Sequence, residues 1–75
     1  MARGLRNQLG EELVARREAN GWNREKLAEV SGLSVNTVGI AERGEGNPGL
    51  ETLERLSRAL RLSVGELLTA SERRQ

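Results

Sequence analysis

Seventy-five residues carry 12 basic and 11 acidic side chains, for a formal net charge of +1, with no cysteine, no histidine and a single aromatic residue. That inventory excludes thiol catalysis, disulfides, the common zinc sites and imidazole acid–base chemistry, and a chain this short buries only roughly 60% of its extended surface, which favours one thin-cored domain over a deep active site. No apolar run approaches the roughly 18 residues that span a bilayer, and the opening MARGLRNQLG lacks the apolar block of a secretion signal, so the expected location is the cytoplasm with no membrane partner.

Five helices fit the pattern, with no alternating run that would make a strand. Leu5, Leu9 and Leu13 recur every four residues, the spacing of one helical face, and Asn20-Gly21 supplies the stop. Asn23 is placed to cap a second helix, with Glu25 in its first turn near the positive end of the dipole, and Gly32 ends it. Ser34 starts a third helix that runs to about Arg43, followed by a glycine-rich loop from Gly44 to Gly49 in which Pro48 biases Asn47 towards an extended backbone. Leu50, Leu53, Leu56 and Leu60 mark one face of a fourth helix. A short fifth is expected from about Ser63 to Leu68, with the final SERRQ fraying. The expected domain is therefore the whole chain, 1–75, with its core over 5–68 and flexible segments at 1–4 and 69–75. Its core candidates are Leu9, Leu13, Leu27, Val38, Leu53, Leu56 and Leu60. Each contributes roughly 1.5 to 3 kcal/mol when buried, so stability should be modest.

The informative stretch is REKLAEVSGLSVNTVGIAERG, residues 24–44. Ala28 leaves a bare patch on the second helix, Gly32 can take a left-handed backbone without penalty where the chain reverses, and the branched Val38 can fill the crossing with the third helix. Ser34 can accept a hydrogen bond from the free N–H groups that open that helix. Two short helices crossing closely around a fixed turn are a helix-turn-helix, a device for reading DNA; an ordinary helical hairpin would account for the small residues alone.

The net charge argues only weakly for a polyanion partner, so the distribution matters more. Arg3 and Arg6 lead the chain, Arg24 and Lys26 open one helix, Arg43 closes another, and Arg73 and Arg74 end it, while Glu11, Glu12, Glu51 and Glu54 crowd elsewhere. The arginine-rich ends read either as phosphate arms or as solvated tails. Trp22, just before the motif, reads as a core residue between helices rather than a platform for stacking bases.

The stretch from Leu9 to Leu68, some four-fifths of the chain, resembles the Cro and phage-repressor class of helix-turn-helix domains, often called XRE-type. The resemblance rests on LGEEL and RREANGW before the motif, REKLAEVSGLSVNTV within it, and ERGEGNP and LETLERLSRALRLSVGELL after it. It implies a compact, all-α, lambda-repressor-like domain whose second and third helices form the motif, the third lying in the major groove, usually as a twofold dimer on a palindromic site. It further implies that Arg17 and Glu42 hold an ion pair linking the first helix to the end of the third, and that Asn23 and Arg24 approach a phosphate at the second helix's N-terminus.

The base-contacting candidates are Ser34, Val35, Asn36, Thr37, Ile40 and Arg43, with Gly39 on the same outer face. Asn36 leads them, because its amide offers donor and acceptor together to an adenine edge. The chain departs from the family where Val35, Gly39, Ile40 and Glu45 replace commonly polar or basic residues. Val35 and Ile40 suit thymine methyl groups or a protein interface, and a Glu45 carboxylate facing phosphate lowers affinity. Single-domain binding is thus expected to be weak and rescued by dimerisation, for which the last helix offers Leu62, Val64 and Leu68.

The expected function is a sequence-specific transcriptional regulator, a repressor or activator of bacterial or phage type, that binds double-stranded DNA as a homodimer without cofactor, metal or small-molecule ligand. Phage repressors, restriction-modification controllers and antitoxins remain equally open. The competing expectation is a protein-interaction module, antitoxin or antirepressor in type, that uses the apolar part of the third helix. No nucleophile–base set or metal cluster supports an enzyme.

Overall fold

A computed structural model describes residues 4–74. Its elements are α1 (Leu5–Ala19), α2 (Arg24–Ser31), α3 (Val35–Glu42), α4 (Leu50–Ala59) and α5 (Val64–Glu72), with no strand among the described residues. Local chemistry sets most boundaries. The Asn23 side chain accepts from the Lys26 N–H at 2.8 Å, Ser34 Oγ from the Thr37 N–H at 3.0 Å, and Ser63 with Glu66 forms a reciprocal capping box. Gly32 takes the left-handed backbone (φ 73°) that lets α2 stop and the chain turn into α3.

α1 packs against α3 and α5, while α2 packs against α3 and α4. Leu13, Leu27, Val38, Leu56 and Leu67 are completely enclosed, joined by Leu9, Ala28, Ala41 and Leu60. Trp22, Leu33, Leu53, Ala59 and Leu62 lean on this cluster from its edge. Leu53 is therefore half-buried rather than central, and two leucines depart from the expected faces: Leu5 is 42% exposed and Leu50 is 67% exposed. Both stand at the first residue of their helices, where the periodic face has run past the packing partner.

The last turns of α2, α4 and α5 also bury Ser31, Ser57 and Ser71, each of which donates its hydroxyl to a carbonyl four residues earlier at 2.7 Å. No buried side-chain polar atom among the described residues lacks a partner.

The largest departure is at the C-terminus. α5 continues four residues past Leu68, Ser71 is fully enclosed, and Arg74 Nε donates to Glu12 Oε1 at 2.6 Å. Gln8 Nε2 donates to the carbonyls of Glu72 and Arg74. The segment expected to fray is instead clipped to α1 as far as Arg74, because α1 presents a carboxylate and an amide where the helix arrives. That contact also corrects the reading of Arg74 as an unattached phosphate arm. Arg3 and Gln75 lie outside the described residues.

Candidate nucleic-acid interface

The outer side of the helix pair is assembled from one short helix and the start of another. Asn36 is exposed, and its amide makes no hydrogen bond among the described residues. Val35 is 42% exposed and Arg43 is exposed, whereas Thr37 and Ile40 are half-buried. The Ser34 hydroxyl accepts the Thr37 N–H and donates to Thr37 Oγ1 at 2.9 Å, so these two hydroxyls serve each other and the cap. Thr37 and Ile40 border a shallow groove of 180 Å³ with Glu45, Asn47, Pro48, Gly49 and Thr52. A larger concavity, 690 Å³, opens elsewhere, between α2 and α4 around Arg55, Arg58 and Arg61.

Behind this surface stands Glu42, a carboxylate with no solvent exposure. Arg17 grips both of its oxygens, Nε to Oε2 at 2.6 Å and Nη2 to Oε1 at 3.1 Å, and donates a third bond to the Trp22 carbonyl at 3.0 Å. A second guanidinium arrives from α2: Arg24 Nε donates to Glu42 Oε1 at 2.8 Å. One carboxylate therefore ties α1, the loop after it, α2 and α3 together. Burial pushes the Glu42 carboxyl up, but the hydrogen bonds from Arg17 and Arg24 outweigh it and hold it below its ordinary value of 4.5. With two cations on one anion the cluster keeps a net positive charge, and Arg24, 39% exposed, carries it to the surface.

Gly39 stands on this same shoulder of α3 yet is buried, contrary to its expected place on the open face. Arg43, the C-cap of the same helix, and Arg24 of α2 cover it. A Cβ built there meets Arg43 Nη1 at 2.9 Å and Arg24 Nη1 at 3.6 Å. Arg43 in turn donates from Nε to Glu45 Oε1 at 3.1 Å, so Glu45 faces its neighbour rather than solvent alone.

Sequence reasoning placed Arg24 near phosphate but did not see its bond to Glu42, because a single-partner ion pair left no reason to look for a second arginine. It also missed Gly10. A Cβ on Gly10 would stand 2.4 Å from the Glu42 carbonyl oxygen and 2.9 Å from that of Ala41, so α1 and α3 touch backbone to backbone there. The available signal was a glycine inside a helix between Leu9 and Leu13. Of the residues assigned to dimerisation, Leu62 leans on the core, Val64 is half-buried at the start of α5, and Leu68 is half-buried in a cleft with Leu5, Leu9, Pro48 and Leu53.

A helix-turn-helix family model matches residues 13–67. The control protein C.SmaI of Serratia marcescens is 42% identical over 65 residues, covering 87% of this chain and 77% of that protein. Among solved structures, the restriction-modification controller protein C.AhdI from Aeromonas hydrophila superposes with a TM-score of 0.77 at 37% identity over 83% of this chain and 94% of that one. The clp gene regulator ClgR from Corynebacterium glutamicum reaches a TM-score of 0.85 at 30% identity, over 96% of this chain and 92% of that one.

Proposed function

The chain belongs to the helix-turn-helix family, as a transcriptional regulator and not an enzyme, and from that membership we propose that it binds a palindromic operator as a homodimer with α3 in the major groove. The observation that carries this reading is the exposed, unbonded amide of Asn36 beside Arg43 and Val35 on a helix locked by the buried Arg17–Glu42–Arg24 cluster. A reading helix must be rigid behind and chemically free in front, since a donor held within a fraction of an ångström of its target recovers the cost of leaving water.

In this reading Asn36 bonds an adenine edge, Val35 and Ile40 pack on thymine methyls, and Arg43 meets a base. Asn23 and Arg24 anchor a phosphate at the N-terminus of α2. Ser34 and Thr37 hold the entry to the helix and turn outward only by exchanging their mutual bond for one to DNA. The likeness to C.SmaI and C.AhdI favours control of a restriction-modification system over the phage-repressor and antitoxin alternatives. Dimerisation through α5 would use Leu62, Val64 and Leu68, and a dilution series that stays monomeric at high micromolar concentration would remove that part.

The deciding experiment is selection of bound sequences from random duplex DNA at stated salt. A palindromic motif is expected; the absence of any enriched motif would defeat the reading. The exposure of Val35 keeps a protein-binding alternative in view, and salt separates the two. Affinity that rests on phosphate contacts falls steeply between about 50 and about 200 mM salt, whereas an apolar contact is nearly indifferent.

A further inference from the structure

The geometry points to Gly39 as a specificity-determining residue: its missing side chain seats the guanidiniums of Arg43 and Arg24 side by side on the outer shoulder of α3, making a receptor for a guanine edge next to a backbone phosphate, with Glu45 as the internal competitor for Arg43. This inference rests on the DNA-reading function proposed above and says which base is read and how.

Three observations converge on it. Gly39 is buried although it sits on the outward side of α3, and what buries it is a pair of cations from two different elements. An L side chain at this position would place its Cβ 2.9 Å from Arg43 Nη1, inside normal contact, so the guanidinium would have to swing off the helix. Arg24 lies 3.6 Å away, an ordinary van der Waals distance, and is held independently by Glu42.

The two arginines are therefore not equivalent. Arg24 spends its Nε–H on a fully buried carboxylate and keeps its remaining donors for a phosphate. Among the described residues the Arg43 side chain bonds only to Glu45, and the two side chains are 44% and 59% exposed. A pair so open to water is worth little and is readily exchanged. Guanine presents two acceptors, O6 and N7, spaced for a guanidinium fork, and it is the base that arginine reads most often.

Glu45 gives the exchange a direction. A duplex without guanine at that position leaves Arg43 on Glu45 and gains nothing from it, whereas one with guanine draws Arg43 away and frees the carboxylate to face phosphates. Glu45 thus lowers affinity for every duplex through its charge, and takes a further share from the duplex that draws Arg43 away. The glycine and the glutamate, which look like losses of DNA-binding chemistry in the sequence, together shape one receptor.

The test is a double-mutant cycle on the operator that the wild-type protein enriches from random duplex DNA. Gly39→Ala should weaken operator binding about tenfold while its thermal midpoint stays the same or rises, since alanine is the better helix residue and the displaced group is the end of a flexible side chain. Arg43→Ala should weaken binding at least as much and erase one guanine from the enriched motif. In the Arg43→Ala background, Gly39→Ala should lose most of its effect. Glu45→Gln should tighten binding to the operator and, to a smaller extent, to unrelated duplex. Wild-type binding by Gly39→Ala, multiplying effects of the two substitutions, or an enriched motif without guanine would overturn the inference while leaving the DNA-reading function intact. Failure of the wild-type protein to enrich any duplex would overturn both.

Discussion

Glu42 shows how one side chain can organise a small domain. A fully enclosed carboxylate is tolerable only with compensation, and two arginines supply it. Arg17→Ala should lower stability by about 3 kcal/mol, the low end for breaking a buried pair, because Arg24 still faces the anion; an unchanged denaturation midpoint in urea would detach the pair from stability. Arg61 makes the opposite case. It is the one non-glycine among the described residues with a left-handed backbone (φ 62°), and it occupies the reversal after α4, where the Leu62 N–H reaches the Ser57 carbonyl and its own N–H reaches that of Arg58. The equivalent turn after α2 uses Gly32. Arg61→Gly should therefore raise stability by about 1 kcal/mol, read as a higher thermal midpoint, and a fall would mean that the arginine side chain makes up for its backbone. The Arg17–Glu42 pairing was legible through family resemblance, since both residues stand in stretches that carry it. The second arginine was not, because Arg24 and Glu42 are 18 positions apart and nothing in their local context relates them.

At the scale of elements, caps and stops were the easiest features to read. Asn23, Ser34 and Ser63 all act within three residues of themselves, so their chemistry is complete in the local sequence. The approach of α1 to α3 is different. Gly10 lets a helix backbone come against the last carbonyls of α3, next to Glu42, and so sets how closely α1 and α3 approach. Gly10→Ala should cost about 2 to 3 kcal/mol, the upper range for overpacking, because the obstacle is backbone and cannot rotate away. A urea midpoint like that of the wild type would show that the two helices have slack. This contrasts with the gain or neutrality expected at Gly39, where the obstacle is the mobile end of an arginine.

For the molecule as a whole, acid should be the sensitive axis. Glu42 and Glu12 are both buried, which raises their carboxyl pKa values, yet bonds from Arg17 and Arg24 in one case and from Arg16 and Arg74 in the other bring both below 4.5. In the folded protein these groups hold their protons less tightly than in the unfolded chain, so stability is fully present above about pH 4.5 and is lost as pH falls through the depressed values. Thermal midpoints should drop between about pH 5 and about pH 3. Glu42→Gln should start lower at neutral pH and lose less on acidification, and a wild-type midpoint that stays level through that window would contradict the linkage. Because Glu12 on α1 binds the C-terminal segment, and Glu42 on α3 binds α1 and α2, acid loosens the two clamps that hold the C-terminus and α3 in place.

By itself the sequence determined the five helices, their caps, the turn at Gly32 and most of the core, because each depends on residues within about one helical turn of each other or on a leucine repeat that only one helix face can satisfy. It also determined, through resemblance, the family of regulators to which the chain belongs. Tertiary structure alone decided that Arg24 shares Glu42 with Arg17, that Gly39 is roofed by two guanidiniums, that Gly10 lets α1 touch α3, and that the C-terminal residues fold back onto Glu12. Those contacts join positions up to 62 residues apart, and such partners meet only after the helices have packed, when a crossing angle settles which side chain reaches which neighbour.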